Sequence, residues 1–236
     1  MPKDNVFLGP NSQAPFEFNQ AVVDVFPDML ARSVPFYKEV LAQMAAIAAP
    51  VIAEMPTQTV YDLGCSQGAW VPFLTSVTPA LNYIGYDQSE GMIHQAQTLA
   101  TDTIQFFVRD ITTVSIFDNA SIIACHLVLQ FIEPTRRPAL IELIYQALPD
   151  NGIFLLVEKI HHQNNLVQDC YRKEYHAFKQ RNGYSMAEII NKEVALNGVL
   201  MTQTQQDYED QLNAAGFQTV DVFFKWFNFM GIMAKK

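Results

Sequence analysis

From about residue 57 the chain alternates short apolar runs with amphipathic stretches, and nothing else in it constrains the fold so strongly. Thr57–Cys65 (TQTVYDLGC) is rich in β-branched and aromatic residues, ends in a glycine turn and reads as a first strand. A helix over Ser66–Val77 follows, then a strand over Asn82–Asp87, a helix over Ser89–Leu99 with Ser89 as its N-cap, and a strand over Ile104–Asp110. Ala120–Gln130 reads as a fourth strand, Pro134–Leu148 as a helix, and Ile153–Lys159 as a fifth strand after the Pro149–Gly152 turn. Strands that are continuously apolar are buried on both faces, so the expected class is α/β, a mostly parallel sheet with helices on both faces. A final apolar pair, Thr219–Phe227 and Phe229–Ala234, brings the expected strands to seven. The stretch 161–206 is polar, helical and too long for a plain crossover, so it is expected to cover the strand ends. The division that follows is an N-terminal segment and helix over 1–56, with residues 1–20 loose and a helix over Phe36–Glu54, then a core over 57–160, a helical cover or arm over 161–206, and a closing helix and strand pair over 207–236.

Composition narrows the function classes. Half of the 236 residues are hydrophobic and 12% aromatic, enough to offset the entropy of ordering a core. The 24 acidic against 15 basic residues, a net charge of −9, argue against a nucleic-acid partner, which calls for a basic face. The apolar run at Ile122–Leu129 is broken by His126 and falls short of a membrane span, so no membrane partner is expected. No basic segment followed by an apolar one opens the chain, and cytoplasm is the default expectation. Cys65, Cys125 and Cys170 are odd in number and lack a CxxC pair, which argues for reduced thiols. His161, His162 and His176 show neither HxH nor HExxH spacing, so no metal is expected.

Chemistry concentrates at the strand ends. The turn Asp62–Leu63–Gly64–Cys65–Ser66–Gln67–Gly68 uses small residues that let the backbone approach a ligand, and exposed N–H groups at a following helix start would favour polar or anionic groups. It does not meet the GxGxxG pattern, which disfavours a nicotinamide dinucleotide. Asp87 ends the second strand about 20 residues on, where a carboxylate can accept hydrogen bonds from two ribose hydroxyls. Asp110 ends the third, where a carboxylate suits an adenine amino group and Ile111 the ring face. His126 leaves the fourth strand toward the cleft, and its ordinary pKa near 6.5 suits acid or base work as well as plain hydrogen bonding. Tyr37 and Trp70 offer aromatic faces to a cation, with helix packing the more ordinary role for Trp70. Cys65 reads as a small packing residue.

The glycine turn, Asp87 and Asp110 together resemble the S-adenosylmethionine (SAM) site of the class I methyltransferase, Rossmann-like fold. A closer resemblance spans nearly the whole chain. Val25–Tyr37 (VFPDMLARSVPFY), the turn YDLGCSQGA, Leu127–Pro134 (LVLQFIEP), Phe178–Lys192 (FKQRNGYSMAEIINK) and Phe227–Phe229 (FNF) are similar to the carboxy-SAM synthases. The phrases FPDM, RSVP and NGYS are not shared with methyltransferases at large. The resemblance implies a SAM site lined by Tyr37, Gly64, Cys65, Ser66, Asp87, Gln88, Asp110, Ile111 and His126, with Gln88 and His126 standing where the family has Asn. It also implies a homodimer whose arm, carrying position 193, reaches toward the partner's site.

Position 193 departs most from the family. Glu193 replaces an arginine that pairs with the extra carboxylate of the family's product, and a carboxylate there would repel that group where an arginine fork is worth about 1.5–3 kcal/mol. Lys192, Arg32 and Arg172 are the cations available to compensate. The expectation is therefore a SAM-dependent enzyme of this branch, with Tyr37 and His126 as catalytic candidates and Arg32, Lys192 and Glu193 on the substrate side, whose chemistry is altered and acts on SAM alone or on a small molecule. The alternatives are carboxy-SAM synthesis from SAM and prephenate with release of phenylpyruvate, methyl transfer to a small molecule, cleavage of SAM to methylthioadenosine, and SAM binding without turnover.

Overall fold

The computed structural model describes residues 2–8, 12–79 and 81–236. Seven strands, β1 (Thr59–Leu63), β2 (Asn82–Asp87), β3 (Ile104–Val108), β4 (Ala120–His126), β5 (Ile153–Lys159), β6 (Thr219–Trp226) and β7 (Phe229–Lys235), form one sheet in the order β3-β2-β1-β4-β5-β7-β6. β7 is antiparallel to both neighbours, and the other pairs are parallel. The strand order reverses between β1 and β4, which opens a crevice at their carboxyl ends, where ligands bind in sheets of this kind.

Eight helices, α1 (Gln20–Ser33), α2 (Tyr37–Glu54), α3 (Val71–Val77), α4 (Glu90–Ala96), α5 (Arg137–Ala147), α6 (Asn165–Arg181), α7 (Met186–Leu196) and α8 (Gln205–Ala215), accompany the strands among the described residues. Because successive strand residues point to opposite faces, neighbours such as Ile122 and Ile123 serve different cores. Ile123, Cys125 and Leu156 pack against Ile141 and Ile144 of α5 and Tyr208 and Leu212 of α8. Ile122, Ala124 and Leu155 pack against Leu41, Met44 and Ala48 of α2 and Leu74 of α3. Burying each such aliphatic side chain contributes about 1.5–3 kcal/mol, so the sheet is a rigid platform for whatever its strand ends carry.

A third cluster was not legible in the sequence. Val22, Val23, Phe26 and Met29 of α1 pack with Phe7, with Met92 of α4 and with Ala195 of α7, joining the N-terminal segment to the cover. Residues 2–8, expected to be loose, include a buried Asp4 and Phe7 and a 3₁₀ turn at Val6–Leu8. α1 itself carries Pro27 in its interior, which hid its periodicity. The helix expected from Ser66 begins only at Val71, because Gly64, Ser66 and Gly68 adopt positive φ. β4 stops at His126, where Leu127 turns the chain with φ 61°.

Candidate active site

A cavity of about 310 Å³ opens at the carboxyl ends of the strands, beneath α1, α6 and α7. Ten of the twelve residues singled out from the sequence line it: Tyr37, Gly64, Cys65, Ser66, Asp87, Gln88, Asp110, Ile111, His126 and Lys192. Arg32 and Glu193 do not. Three non-glycine residues at its border, Phe36, Ser66 and Leu127, sit in the left-handed region at φ 54°, 50° and 61°, a concentration of backbone strain typical of functional sites.

At one end the cavity is shaped by turns. Gly64 has φ 78°, and a Cβ there would lie 2.3 Å from Val128 Cγ2, so only glycine fits. The backbone N–H of Gly64 and of Cys65 both donate to Tyr86 O, at 2.7 and 3.0 Å, locking the turn to β2. The Asp87 carboxylate accepts from Ser66 N at 3.0 Å and from Ser89 N at 2.8 Å, and burial raises its pKa against those two donors. Asp87 therefore ties the first turn to the second while still lining the cavity. No helix begins at the glycine turn, and the expected helix-terminal N–H groups are replaced by this carboxylate-braced loop. Asp110 is exposed and caps its own turn, accepting from Thr112 N at 2.8 Å and Thr112 Oγ1 at 2.7 Å. Cys65 is buried, and burial pushes its thiol pKa well up, in keeping with a packing role. Trp70 is buried too and donates its indole N–H to Leu41 O at 3.2 Å.

In the middle, Tyr37 and His126 stack with ring centroids 5.2 Å apart and planes 17° apart. His126 Nε2 is buried without a hydrogen-bond partner. Burial pushes the imidazole pKa down to about 4, which favours the neutral ring at pH 7 and, of the two roles expected for it, plain hydrogen bonding. Burial likewise pushes the Tyr37 hydroxyl far up. The pair supplies an aromatic wall and one unsatisfied ring nitrogen, and holds no mobile proton at neutral pH.

At the other end the cavity is cationic. Lys159, the last residue of β5, and Lys192 of α7 both line it. Lys159 Nζ lies 4.9 Å from the centroid of the Tyr175 ring, and Lys179, buried behind it, lies 4.2 Å from the same ring. Lys192 Nζ is 3.2 Å from Ser33 Oγ and 5.2 Å from the Phe7 ring centroid. Burial lowers all three, Lys179 to about 7 and Lys192 to about 8, with neighbouring lysines adding to the fall for those two.

Arg32 and Glu193, expected on the substrate side, do not line the cavity of their own chain and have partners elsewhere. Arg32 pairs with Asp28 at 2.8 Å, donates to Asp4 O at 2.7 Å and lies 3.9 Å above the Tyr184 ring. Glu193 meets His176 Nε2 of α6 at 2.5 Å. Consecutive residues on a helix point about 100° apart, so α7 can aim Lys192 inward only by turning Glu193 aside.

Sequence reasoning missed Lys159, Tyr175 and Glu158. Glu158 is fully buried and accepts from the backbone N–H of Val128, Leu129 and Gln130 at 2.9, 2.7 and 3.1 Å, fixing the loop after β4. Burial raises its carboxyl to about 8 while those donors pull it down. The available signal was a charged pair, Glu158–Lys159, closing an otherwise apolar strand at the end where sites form.

The donor set suits SAM, with a carboxylate at the β2 end, an aromatic face and an unpartnered buried nitrogen in one cavity. Comparisons with known proteins agree. Residues 60–152 match the family described as a methyltransferase domain. The fold is shared with the plantazolicin methyltransferase BpumL, solved with SAH (TM-score 0.65, 15% identity, 89% of each chain covered). It is shared also with magnesium protoporphyrin IX methyltransferase from Synechocystis, solved with SAM (TM-score 0.53, 15% identity, 83% of this chain and 79% of that one). The carboxy-S-adenosyl-L-methionine synthase of Desulfotalea psychrophila is 39% identical over 242 residues, covering 99% of this chain and 97% of that protein. That of Methylococcus capsulatus is 37% identical over 228 residues, covering 94% and 93%. With full-length identity of this order and a cavity built from the family's motifs, the chain belongs to the carboxy-S-adenosyl-L-methionine synthase family, SAM-dependent transferases on the class I methyltransferase fold.

Proposed function

We propose that the chain forms carboxy-SAM from SAM and a carboxylate donor, prephenate. One observation carries the reading: Lys159 and Lys192 line the same cavity as Tyr37 and His126, while the Glu193 carboxylate does not. The expected altered chemistry required Glu193 to face the substrate, and within one chain its carboxylate pairs with His176 and stays off the cavity wall. An anionic second substrate instead meets two ammonium groups, each charge-assisted contact worth about 1.5–3 kcal/mol.

Gly64, Cys65, Ser66, Asp87, Gln88, Asp110 and Ile111 take the adenosyl part, and the Tyr37 face takes the sulfonium, worth roughly 0.5–2 kcal/mol. His126 Nε2 hydrogen-bonds a reacting partner without changing protonation. The reaction balances without a protein base. The methyl carbon exchanges a proton for a carboxyl group, the donor gives up that carboxyl and its ring hydroxyl on becoming phenylpyruvate, and the proton and hydroxide leave as water. Catalysis then rests on holding two reactants in register and out of bulk solvent. A homodimer is part of the reading, supported by the outward stripe of Met186, Ile190 and Val194 on α7, each at least 44% exposed. A monomer by light scattering would remove that part.

Mass spectrometry of purified protein with SAM, with and without prephenate, tests the reading. A product heavier than SAM by the mass of carbon dioxide, formed only with prephenate, is the expected result. Methylthioadenosine from SAM alone, or no product in either tube, would overturn it.

A further inference from the structure

Lys192 reaches the cavity wall from α7, and three parts of the chain that are far apart in sequence meet around its ammonium group. Ser33, the last residue of α1, accepts a hydrogen bond from Lys192 Nζ at 3.2 Å. The ring centroids of Phe7, in the N-terminal segment, and Tyr184, in the link between α6 and α7, lie 5.2 and 5.9 Å from Nζ, within reach of a cation–π contact. Each of these partners is itself fixed. Ser33 is buried, its Oγ–H donates to Met29 O at 2.5 Å, and its carbonyl accepts from the Tyr175 hydroxyl at 2.9 Å. Phe7 is 3% exposed and packs with Val22, Val23, Phe26 and Met29. Tyr184 is gripped twice, by the Arg32 guanidinium 3.9 Å above its ring and by the buried Asp4 carboxylate, which accepts a hydrogen bond from its hydroxyl. Ser33 lines the cavity, whereas Phe7, Tyr184 and Asp4 stand behind it.

A lysine head is strongly hydrated and sits on a flexible stem, so on an ordinary helix surface it extends to water. Here an acceptor and two ring faces hold it instead, and Ser33 is the sole hydrogen-bond partner of Nζ among the described residues. An ammonium group has three N–H donors, so two remain for a ligand. We propose that Ser33 and Phe7 are positioning residues for Lys192, and that the N-terminal segment thereby forms part of the anionic-substrate end of the site. They fix the ammonium at the cavity wall before the second substrate arrives, which spares the ordering of a long side chain at the moment of binding. The consequence for turnover rests on the carboxylate-donor reading above; the placement of Lys192 does not.

The test is NMR of the full chain labelled with [ε-¹³C]lysine, alongside steady-state kinetics, in wild type, Ser33→Ala and Phe7→Leu, with Lys192→Met identifying the Lys192 signal. Protons held over aromatic rings are shielded by the ring currents, so the wild-type Lys192 ε-methylene signal should lie upfield of those of exposed lysines. Ser33→Ala deletes the hydroxyl and leaves both rings in place, and the Lys192 signal should lose most of that displacement. The KM for prephenate should rise several-fold in Ser33→Ala, and also in Phe7→Leu, which keeps an apolar side chain but removes the ring. The KM for SAM should be unchanged in both. A wild-type signal among the exposed lysines, or one that stays in place in Ser33→Ala, would overturn the positioning role without any need for turnover. An unchanged prephenate KM in Phe7→Leu alone would remove Phe7 from the set. A displaced signal with an unchanged prephenate KM in Ser33→Ala would support that residue's role and instead overturn the placing of the donor carboxylate at Lys192.

Discussion

The two ends of the cavity are built on different physics. The end formed by Gly64, Ser66, Asp87 and Asp110 is made of turns at strand termini, and its carboxylates are already engaged by backbone N–H groups. The end formed by Lys159 and Lys192 is made of long cationic side chains brought in from β5 and α7, and their charges are left open to the cavity. A turn-built end loses little when one contact is removed, because backbone partners remain. A cluster of buried charges loses much, because each member depends on partners far away in the chain.

That contrast can be broken by substitution. Lys192→Met should have the largest effect, costing about 2–5 kcal/mol in kcat/KM for prephenate, the range for deleting one partner of a desolvated charge pair. SAM affinity by calorimetry should stay within about twofold of wild type; equal losses for both ligands would merge the two ends into one. His126, between them, sharpens the comparison through pH. Its folded-state pKa is depressed to about 4 from an ordinary 6.5, so the native state binds fewer protons than the unfolded chain. The stability this contributes is present above pH 6.5 and lost as pH falls toward about 4, up to about 3 kcal/mol for full burial. Denaturant unfolding at pH 7 and pH 4 should show the loss in wild type and a smaller one in His126→Asn; identical losses would disprove a buried neutral imidazole.

At the turn-built end the effects are smaller. Asp87→Ala should weaken SAM binding by about 1–3 kcal/mol, since its carboxylate both braces the glycine turn and lines the cavity. Unchanged affinity would sink the ribose assignment. Asp110→Ala should cost below about 1 kcal/mol, because an exposed carboxylate already bonded to Thr112 has little left to give. A loss larger than that of Asp87→Ala would reverse the ranking within this end.

Much of the fold was legible because its signals are local. Asn82–Asp87 and Ile153–Lys159 read as strands from their apolar runs and are strands with those limits. The strand-end residues were legible for the same reason: Gly64, Asp87 and Asp110 are marked by turn chemistry. The rest was not local. Residues 2–8 gain order only from Arg32, Asp28 and Tyr184, whose contacts with Asp4 lie between 24 and 180 residues away in sequence.

By itself, then, the sequence determined the layered α/β architecture and the strand ends that line the cavity, since periodicity and turn residues act over a few positions. The tertiary structure alone decided which of two adjacent α7 residues faces the cavity, that His126 is buried where desolvation disfavours its charged form, and that Glu193 stands beside His176. Charge state and side-chain direction depend on what packs around a group after folding, and no local pattern encodes that environment.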